Sequence, residues 1–453
     1  MKKLIIILTA VILTGCGVRK QYVSPDINTD GLFGIEYGSR DSLTIANMSW
    51  EELFSDPYLR TLINQALENN SDMNIARLRI QQAESSLKSA KLGYYPSFNF
   101  APDGSLSSFD NSKTSKVYSI PVVASWELDI FGRIDNSRKR SQAAYEQSLE
   151  YQQAVQSRLV VTVANMYYTL LMLDKQYEIS RNTARNWEKT VELMRHMKEA
   201  GMFNQAGISQ AEANYYAIEV SLFDLQEGIN QVENSLSVLL FQTPGRIERG
   251  ELDQQYFPDN ISYGIPVQVL SNRPDVKSAE LDLIQAHYST NEARANLYPS
   301  LRLSGSAGWT NSVGSFIVNP GKLLLAAAGS LTQPIFNQRL NRTQLEIMKA
   351  QQEQALIQFE QTVLNAGAEV NDALTQIQTS RDKTVFIEKQ VASLEVAVSS
   401  TELLMAHGST TYLEILTAQQ ALLGAQLSEV AEKFNEIQGI VNLYHALGGG
   451  TEQ

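Results

Sequence analysis

The residues of this 453-residue chain whose types could do chemistry are not arranged to do any. The four histidines, His196, His287, His407 and His445, are scattered without metal-ligand spacing. No Ser/His/Asp or Cys/His arrangement is evident, so neither a nucleophilic enzyme nor a metal site is expected. Asp275 offers an acid, but in Arg273-Pro274-Asp275 it reads as the start of a helix, where an acid suits the free N–H groups and the dipole of the first turn. The run Gly448-Gly449-Gly450 lacks the strand-to-helix context of a phosphate loop and reads as a flexible end. A net charge of −12 argues against nucleic acid, which calls for a basic face.

One residue does invite modification. The chain opens MKKLIIILTAVILTGC, with two lysines, an apolar run from Leu4 to Leu13 and small residues before Cys16. This is the pattern of a secretory signal peptide over residues 1–15. Its ending resembles the bacterial lipobox, which makes Cys16 the lipid-bearing first residue of the mature protein. The apolar run is too short to span ~30 Å of hydrocarbon, and nothing after residue 16 reaches the ~18 apolar residues of a membrane helix. Cys16 is also the only cysteine, so no internal disulfide forms. No acidic run follows it, which favours an anchor in the inner leaflet of the outer membrane.

The elements are laid out twice. NNSDMNIA (69–76) faces NRPDVKSA (272–279), with Asp72 against Asp275 at an offset of 203. YYPSF (94–98) faces LYPSL (297–301) at the same offset, DIFGR (129–133) faces PIFNQ (334–338) at 205, and Gly201 and Ala211 face Gly408 and Ala418 at 207. An offset that drifts by small steps is what duplication followed by insertion leaves behind. The first repeat covers 61–245 and the second 273–447. Residues 16–60 form an N-terminal segment, 246–272 a linker and 448–453 a tail.

Each repeat opens with a polar helix, about 60–92 or 274–296, which YPS ends because proline cannot continue it. Two strands follow. Tyr118, Ile120, Val122, Ala124, Trp126 and Leu128 alternate with mostly polar neighbours, as do Leu301, Leu303, Ala307 and Trp309. Period two over about ten residues suits a soluble hairpin and a tilted membrane strand equally. Strands are expected over 97–108, where Pro102 interrupts, and over 116–129, 300–310 and 323–334, the last poorly alternating. Long helices at 133–200 and 337–407 then turn at Gly201 and Gly408 into return helices at 208–241 and 411–447. Leu159, Val163, Met166, Leu170, Leu173, Tyr177, Ala184, Trp187, Val191 and Met194 make a heptad seam with only Ser180 breaking the row, so the hairpins are expected to pack as coiled coils.

Four strands cannot close a membrane barrel, whose smallest members have about eight. Closure must therefore come from other copies, because open edges in lipid leave backbone groups unpaired. Two copies give eight strands, a barrel plugged by its own side chains; three give twelve strands and a lumen, continued by helices of ~100 Å.

The chain resembles the outer-membrane factors of bacterial tripartite efflux pumps, the TolC/OprM/NodT-like channel lipoproteins. WEELFSDPYLRTLINQALENNSD (50–72), SWELDIFGR (125–133), IPVQVLSNRPDVKSAE (265–280), NLYPSL (296–301) and ALGGG (446–450) carry the resemblance, which runs from Cys16 to the C-terminus. It implies a mixed, mainly α fold: a homotrimer with a twelve-stranded transmembrane β-barrel, a twelve-helix periplasmic α-barrel and an equatorial belt from residues 17–60, 242–270 and the tail. It implies a passive exit duct for small molecules such as drugs, toxic compounds or metals. The implied partners are a periplasmic adaptor and an inner-membrane transporter of the RND type. No cofactor is implied beyond the lipid on Cys16.

The resemblance also places the hairpin tips, around Gly201 and Gly408, at the adaptor, and a periplasmic constriction just beyond them. Family members commonly carry acid rings at the positions of Glu414 and Thr417. Glu414 keeps the acid and Thr417 does not, while Gly207 stands where the first hairpin usually has Asp. The implied gate is therefore Leu413 with a ring of Glu414 carboxylates, like charges that favour cations; a solvated helix position would carry the same acid. Two other readings use the same features. A periplasmic adaptor lipoprotein carries one hairpin between compact β-domains, where this chain has two with strands before each. The exit duct of a type I protein secretion system shares the architecture, and the lipobox tilts toward efflux.

Overall fold

A computed structural model of the chain describes residues 20–26, 48–108, 110, 114–201, 203–257, 273–310, 322–407 and 411–449. The signal peptide, Cys16, Gly408, most of the linker and residues 450–453 lie outside the described residues. In chain order the elements are α1 (Trp50–Leu53), α2 (Pro57–Asn69), α3 (Ser71–Leu92), β1 (Ser97–Phe100), β2 (Asp103–Ser107), β3 (Ser115–Leu128), α4 (Arg133–Glu199) and α5 (Gln205–Leu239), followed by α6 (Pro274–Ala295), β4 (Ser300–Thr310), β5 (Lys322–Thr332), α7 (Leu340–Ala406) and α8 (Tyr412–Ala446). Corresponding helices have equal lengths: 22 residues for α3 and α6, 67 for α4 and α7, and 35 for α5 and α8. At ~1.5 Å per residue, α4 and α7 are each about 100 Å long.

Two compact units divide the described chain. The first takes in the described parts of Met1–Ile27, Leu78–Glu150 and Lys277–Gln361. Its centre is an antiparallel sheet in the order β1-β3-β4-β5, with β2 also on β3. The expected strand 97–108 is broken in two, because Pro102 has no N–H to give the ladder. Both pieces nevertheless keep one register against β3, with Ser97 opposite Ser125 and Ser107 opposite Ser115. The repeats join where β3 pairs β4, Ser119 opposite Thr310 through Leu128 opposite Leu301. This register puts Phe98, Phe100, Ile120, Val122, Trp126, Leu303, Trp309, Leu325 and Leu331 on one face, and each of them is substantially exposed. Ser97, Asn99, Ser125, Glu127, Arg302, Ser304, Ser330 and Thr332 lie on the other. Gly308 opposes Pro121, and a Cβ there would collide with the backbone of Ile120 and Pro121, so close approach requires glycine.

Beside the sheet, α4 packs on α6. Gln285 Nε2 donates to Gln147 Oε1 at 2.7 Å, Gln147 Nε2 donates to the Ser278 carbonyl at 3.2 Å, and Arg140 lies 3.5 Å from Glu292. Residues 20–26 run along α6 in the opposite direction. The Lys20 carbonyl accepts from Asn291 Nδ2 at 2.8 Å, while Ser24 Oγ donates to Glu280 at 2.6 Å.

The second unit takes in the described parts of Asn28–Arg77, Tyr151–Val276 and Thr362–Gln453. The helix expected over 60–92 is two helices, broken at Asn70. Its Oδ1 accepts from Asp72 N at 2.8 Å and its Nδ2 donates to the Leu239 carbonyl at 2.8 Å, so the side chain replaces helical partners and ties the break to the end of α5. Along α4 the seam residues Leu159, Val163, Leu170, Ala184, Trp187, Val191 and Met194 are buried, and Ser180 is buried with them. Arg249 fastens the chain after α5, reaching Asp174 of α4 and Glu233 of α5.

An aromatic cluster of Phe54, Tyr167, Tyr168 and Tyr444 fills the middle of this unit, with Phe54 6.3 Å from Tyr168 and 6.4 Å from Tyr444 between ring centroids. The polar edge of the cluster is Tyr167. Its hydroxyl donates to Asp56 at 2.6 Å and accepts from Gly250 N at 2.9 Å, while Gln255 Nε2 donates to the same carboxylate at 2.9 Å. Asp56 also caps α2 through Tyr58 N at 2.8 Å. Tyr167→Phe leaves a buried acceptor and a backbone donor short of partners, and is expected to lower stability by about 1–3 kcal/mol. Denaturant unfolding in detergent reads this; a midpoint equal to wild type would show that the hydroxyl is dispensable.

Candidate functional site at the hairpin apices

The first hairpin turns where α4 ends. Gly201 takes φ +71° with nothing near its absent Cβ, so the left-handed cap and not crowding selects glycine. Asn204 then caps α5, its Oδ1 accepting from Gly207 N at 2.9 Å, which starts the return helix three residues before the expected 208. Gly207 is buried for a different reason. A Cβ on it would lie 2.7 Å from the Phe203 ring and 2.9 Å from the Tyr412 ring. Phe203 of the first hairpin meets Tyr412 of the second edge-on, with centroids 5.1 Å apart, and the space left by Gly207 admits the pair.

Behind this contact the apices share one apolar core: Ala184, Trp187, Val191 and Met194 of α4, Ile208, Ala211 and Ile218 of α5, and Leu416 of α8. Arg195 and Glu212 pair at 2.5 Å across the first hairpin, and Gln419 Nε2 donates to Glu402 at 3.2 Å across the second. Ile415 and Leu416 are buried, which turns Leu413, Glu414 and Thr417 outward together on the first turns of α8. Leu413 is 58% exposed, a large apolar side chain beside an acid at a helix start. Thr417 is occupied locally, its hydroxyl donating to the Leu413 carbonyl at 2.8 Å.

Arg273, Pro274 and Asp275 are far from these apices in sequence and make a clasp. Pro274 opens α6. Arg273 is buried, lying 3.0 and 2.7 Å from the two Asp275 oxygens and 2.7 Å from Glu369, and it donates to the Ala446 carbonyl at 2.8 Å. The C-terminal glycines, expected as a flexible end, are part of this packing as far as they are described. Gly448 has φ +81° and packs on Arg273, and a Cβ on Gly449 would collide with the Tyr444 ring. The Gly449 carbonyl accepts from Ser157 Oγ at 2.6 Å, and Ser157 Oγ also lies 2.9 Å from His445 Nδ1. This role leaves no mark in the amino-acid pattern, because a glycine chosen for close approach looks like one chosen for freedom.

Electrostatics tune the clasp. Burial alone would raise Asp275, but the hydrogen bonds and charge of Arg273 hold it below the usual carboxylate range. His445 is pushed below the ordinary imidazole range, first by burial and then by the Arg273 guanidinium, with Arg158 adding and Glu369 and Asp275 opposing. Among the described residues no group of His, Cys, Asp and Glu could hold a metal ion, and no helix is long and apolar enough to cross a membrane.

Two strand-and-hairpin repeats, an exposed apolar sheet face and paired coiled-coil apices are the build of a channel subunit. Comparison with known proteins names the class. Residues 62–240 and 265–449 match the family described as outer membrane efflux protein, and the chain belongs to that family. The two matched stretches fall on the two repeats. The cation efflux system protein CusC of Escherichia coli K12 is 28% identical over 457 residues, covering 99% of both chains. The probable outer membrane lipoprotein SilC of Salmonella typhimurium is 26% identical, covering 99% of this chain and 98% of its own. The open-state crystal structure of the MtrE outer membrane channel of Neisseria gonorrhoeae superposes with a TM-score of 0.86 at 26% identity, covering 96% of this chain and 98% of that one. The protein is an outer-membrane efflux duct component, the function and location that the sequence resemblance implied.

The clasp carries a pH dependence. The unfolded chain protonates histidine near pH ~6.5, whereas the folded chain holds His445 neutral to lower pH. The unfolded state therefore binds more protons as pH falls below about 6.5, and stability declines toward the depressed folded value. Asp275 adds a second loss below about pH 4, as pH falls toward its own lowered value. His445→Gln should flatten the first decline and keep the second. Thermal melts in detergent from about pH 7.5 down to about 3 test this, and an unchanged slope near pH 6 would assign it to another group.

Proposed function

We propose that three copies of this chain close a twelve-stranded barrel through the outer membrane and continue it as a periplasmic tube of twelve helices. The supporting observation is the sheet: one apolar, exposed face, one polar face, and an antiparallel ladder with an unpaired edge on each side among the described residues. That is the two-sided pattern of a membrane barrel wall. In this reading the exit duct receives small molecules from an inner-membrane transporter of the RND type through a periplasmic adaptor, which docks at the tips near Gly201 and Gly408.

The lipid belongs on Cys16. Its support is the course of residues 20–26, which places Lys20 at the strand-proximal end of α6, where Asn291 precedes β4 by nine positions. Four residues of chain reach about 13 Å at most, so a lipid-bearing residue four positions before Lys20 is tethered close to that end of α6. The lipoprotein name of SilC agrees.

Leu413 and Glu414 form the periplasmic constriction, Leu413 as an apolar ring and Glu414 as an acidic one, supported by their shared outward position at the start of α8. An acidic ring passes cations preferentially, in keeping with the cation efflux system to which CusC belongs by name. In planar bilayers Leu413→Ala should raise single-channel conductance severalfold. Glu414→Gln should lower the cation-to-anion permeability ratio and weaken the dependence of conductance on pH. A pair of variants indistinguishable from wild type in all three readouts would remove these residues from the gate.

A further inference from the structure

We infer that the polar face of the sheet carries a binding recess for small organic anions. In it Arg302 takes a carboxylate, and the Phe131–Tyr298 pair takes a flat aromatic body. The recess is built from one copy of the chain. Its place on a lumen wall rests on the barrel reading above, which it deepens by naming a class of solute that the wall can hold.

The recess has a volume of about 420 Å³, within the ~300–1,000 Å³ of ordinary ligand pockets. It lies where the strands give way to helices. Glu127, Ser300, Arg302 and Thr332 line it from the polar face of β3, β4 and β5, and Phe131 and Tyr298 line it from the connections to α4 and β4.

Four charged side chains border this space, Glu127, Asp129, Arg133 and Arg302, and three of them are already engaged. Glu127 Oε1 accepts from Arg133 Nε at 2.7 Å. The two Asp129 oxygens accept from Ile134 N and Asp135 N at 2.9 Å each, on the first turn of α4, where the helix dipole offsets the carboxylate. Arg302 differs. Its only ion pair among the described residues is with Glu127 at 3.6 Å, beyond hydrogen-bond reach, and its side chain is 61% exposed. The carboxylate it faces is 20% exposed, so the guanidinium is the group that meets solvent. A surface pair of this geometry adds little stability, and Glu127 keeps Arg133 without it. The planar fork of Arg302 is therefore open to a second carboxylate, which it can hold through two parallel hydrogen bonds.

Beside the cation stands an aromatic wall. Phe131 stacks on Tyr298 with centroids 5.0 Å apart and planes at 21°, and Tyr298 still remains 39% exposed. Asn341 Nδ2 donates to the Asn296 carbonyl at 2.8 Å, which ties the start of α7 to the end of α6 at the same recess. The wall is thus in place before a solute arrives, and little ordering is needed on binding.

The register explains why charge matters at this spot. At the far end of the polar face, Asp103 stands opposite Ser119 and Lys322 opposite Thr310. From there to Glu127 and Arg302 the described residues of that face are uncharged, Asn99, Ser125, Ser304 and Ser330 among them. A charged solute moving along the face meets no charged partner between the two ends. The sign at Arg302 is opposite to that of the acidic ring proposed at Glu414. Such a ring favours cations without excluding anions, and the recess retains the anions and zwitterions that pass.

The test uses the full-length protein in lipid nanodiscs, with 1-naphthoate as the probe and saturation-transfer NMR as the readout. Arg302→Gln should weaken 1-naphthoate about tenfold or more, as expected for a lost charge-assisted pair. Arg302→Lys, which keeps the charge and loses the fork, should fall between. Tyr298→Leu should weaken 1-naphthoate and leave acetate unchanged, and none of the three variants should weaken 1-naphthylmethylammonium. Equal 1-naphthoate affinity in wild type and Arg302→Gln overturns the recess. So does an equal loss for both naphthyl probes in Arg302→Gln and Arg302→Lys, which would make Arg302 a purely structural residue. Planar bilayers separate this from the duct itself. Conducting channels without Arg302-dependent binding overturn the recess and keep the duct, whereas Arg302-dependent binding by a protein that never conducts overturns the duct reading and keeps the recess.

Discussion

An open strand edge presents a row of N–H and C=O groups, and hydrocarbon gives them no partner. In the barrel reading proposed above, that constraint organises the sheet of this chain. Inside the sheet β3 and β4 satisfy each other over ten residue pairs, Ser119–Thr310 to Leu128–Leu301, and this ladder is also the covalent chain's only strand pairing between its two repeats among the described residues. The edges belong to β1 and β2 on one side and β5 on the other. In that reading the exposed apolar face of Phe98, Phe100, Trp126, Trp309 and Leu325 meets lipid and the edges meet protein.

Outside the sheet the problem is length. Two helices of 67 residues need tertiary support along their whole course, since helix propensity alone does not hold them in one place. The chain supplies it at separate heights. Near the middle, Asp56, Tyr167, Gly250 and Gln255 join α2, α4 and the segment after α5 through one buried carboxylate. At the C-terminal end of α8, Arg273 holds Asp275, Glu369 and the Ala446 carbonyl together. At the tips the contact is apolar, Phe203 on Tyr412 with Gly207 making room. Charged clamps sit where the structure must stay fixed, and ring packing sits where the two hairpins meet. Aromatic contacts can slide with little penalty, whereas parting a buried ion pair strands a charge.

Much of this was legible in the amino acids because periodicity reports which face is buried. The heptad seam of α4, the alternation of β3 and the drifting offset between repeats all follow from simple spacing. What stayed hidden are the places where a side chain replaces a backbone partner or leaves space for another residue. Asn70 breaks an otherwise helical run by taking backbone donors itself, and nothing in its neighbours' polarity announces that. Tyr167 and Tyr168 are adjacent and both buried, which no single helical stripe predicts. Gly448 and Gly449 read as a flexible end and Gly207 as the loss of an acid, but Gly207 and Gly449 are required by the aromatic rings of Phe203, Tyr412 and Tyr444 and Gly448 by a left-handed cap against Arg273. Of the candidate gate, the outward placement of Leu413 and Glu414 follows from the burial of Ile415 and Leu416, a helical argument available from sequence. The role of Gly207 needed coordinates.

The two repeats keep equal helix lengths and yet differ in charge. Within the chain, Glu127 is met by both Arg133 at 2.7 Å and Arg302. At the equivalent positions of the second repeat and its opposite edge stand Thr332, Gln338 and Asn99, none of them charged. A joint between repeats of one chain forms at high effective concentration, so a half-formed ion pair there is short-lived.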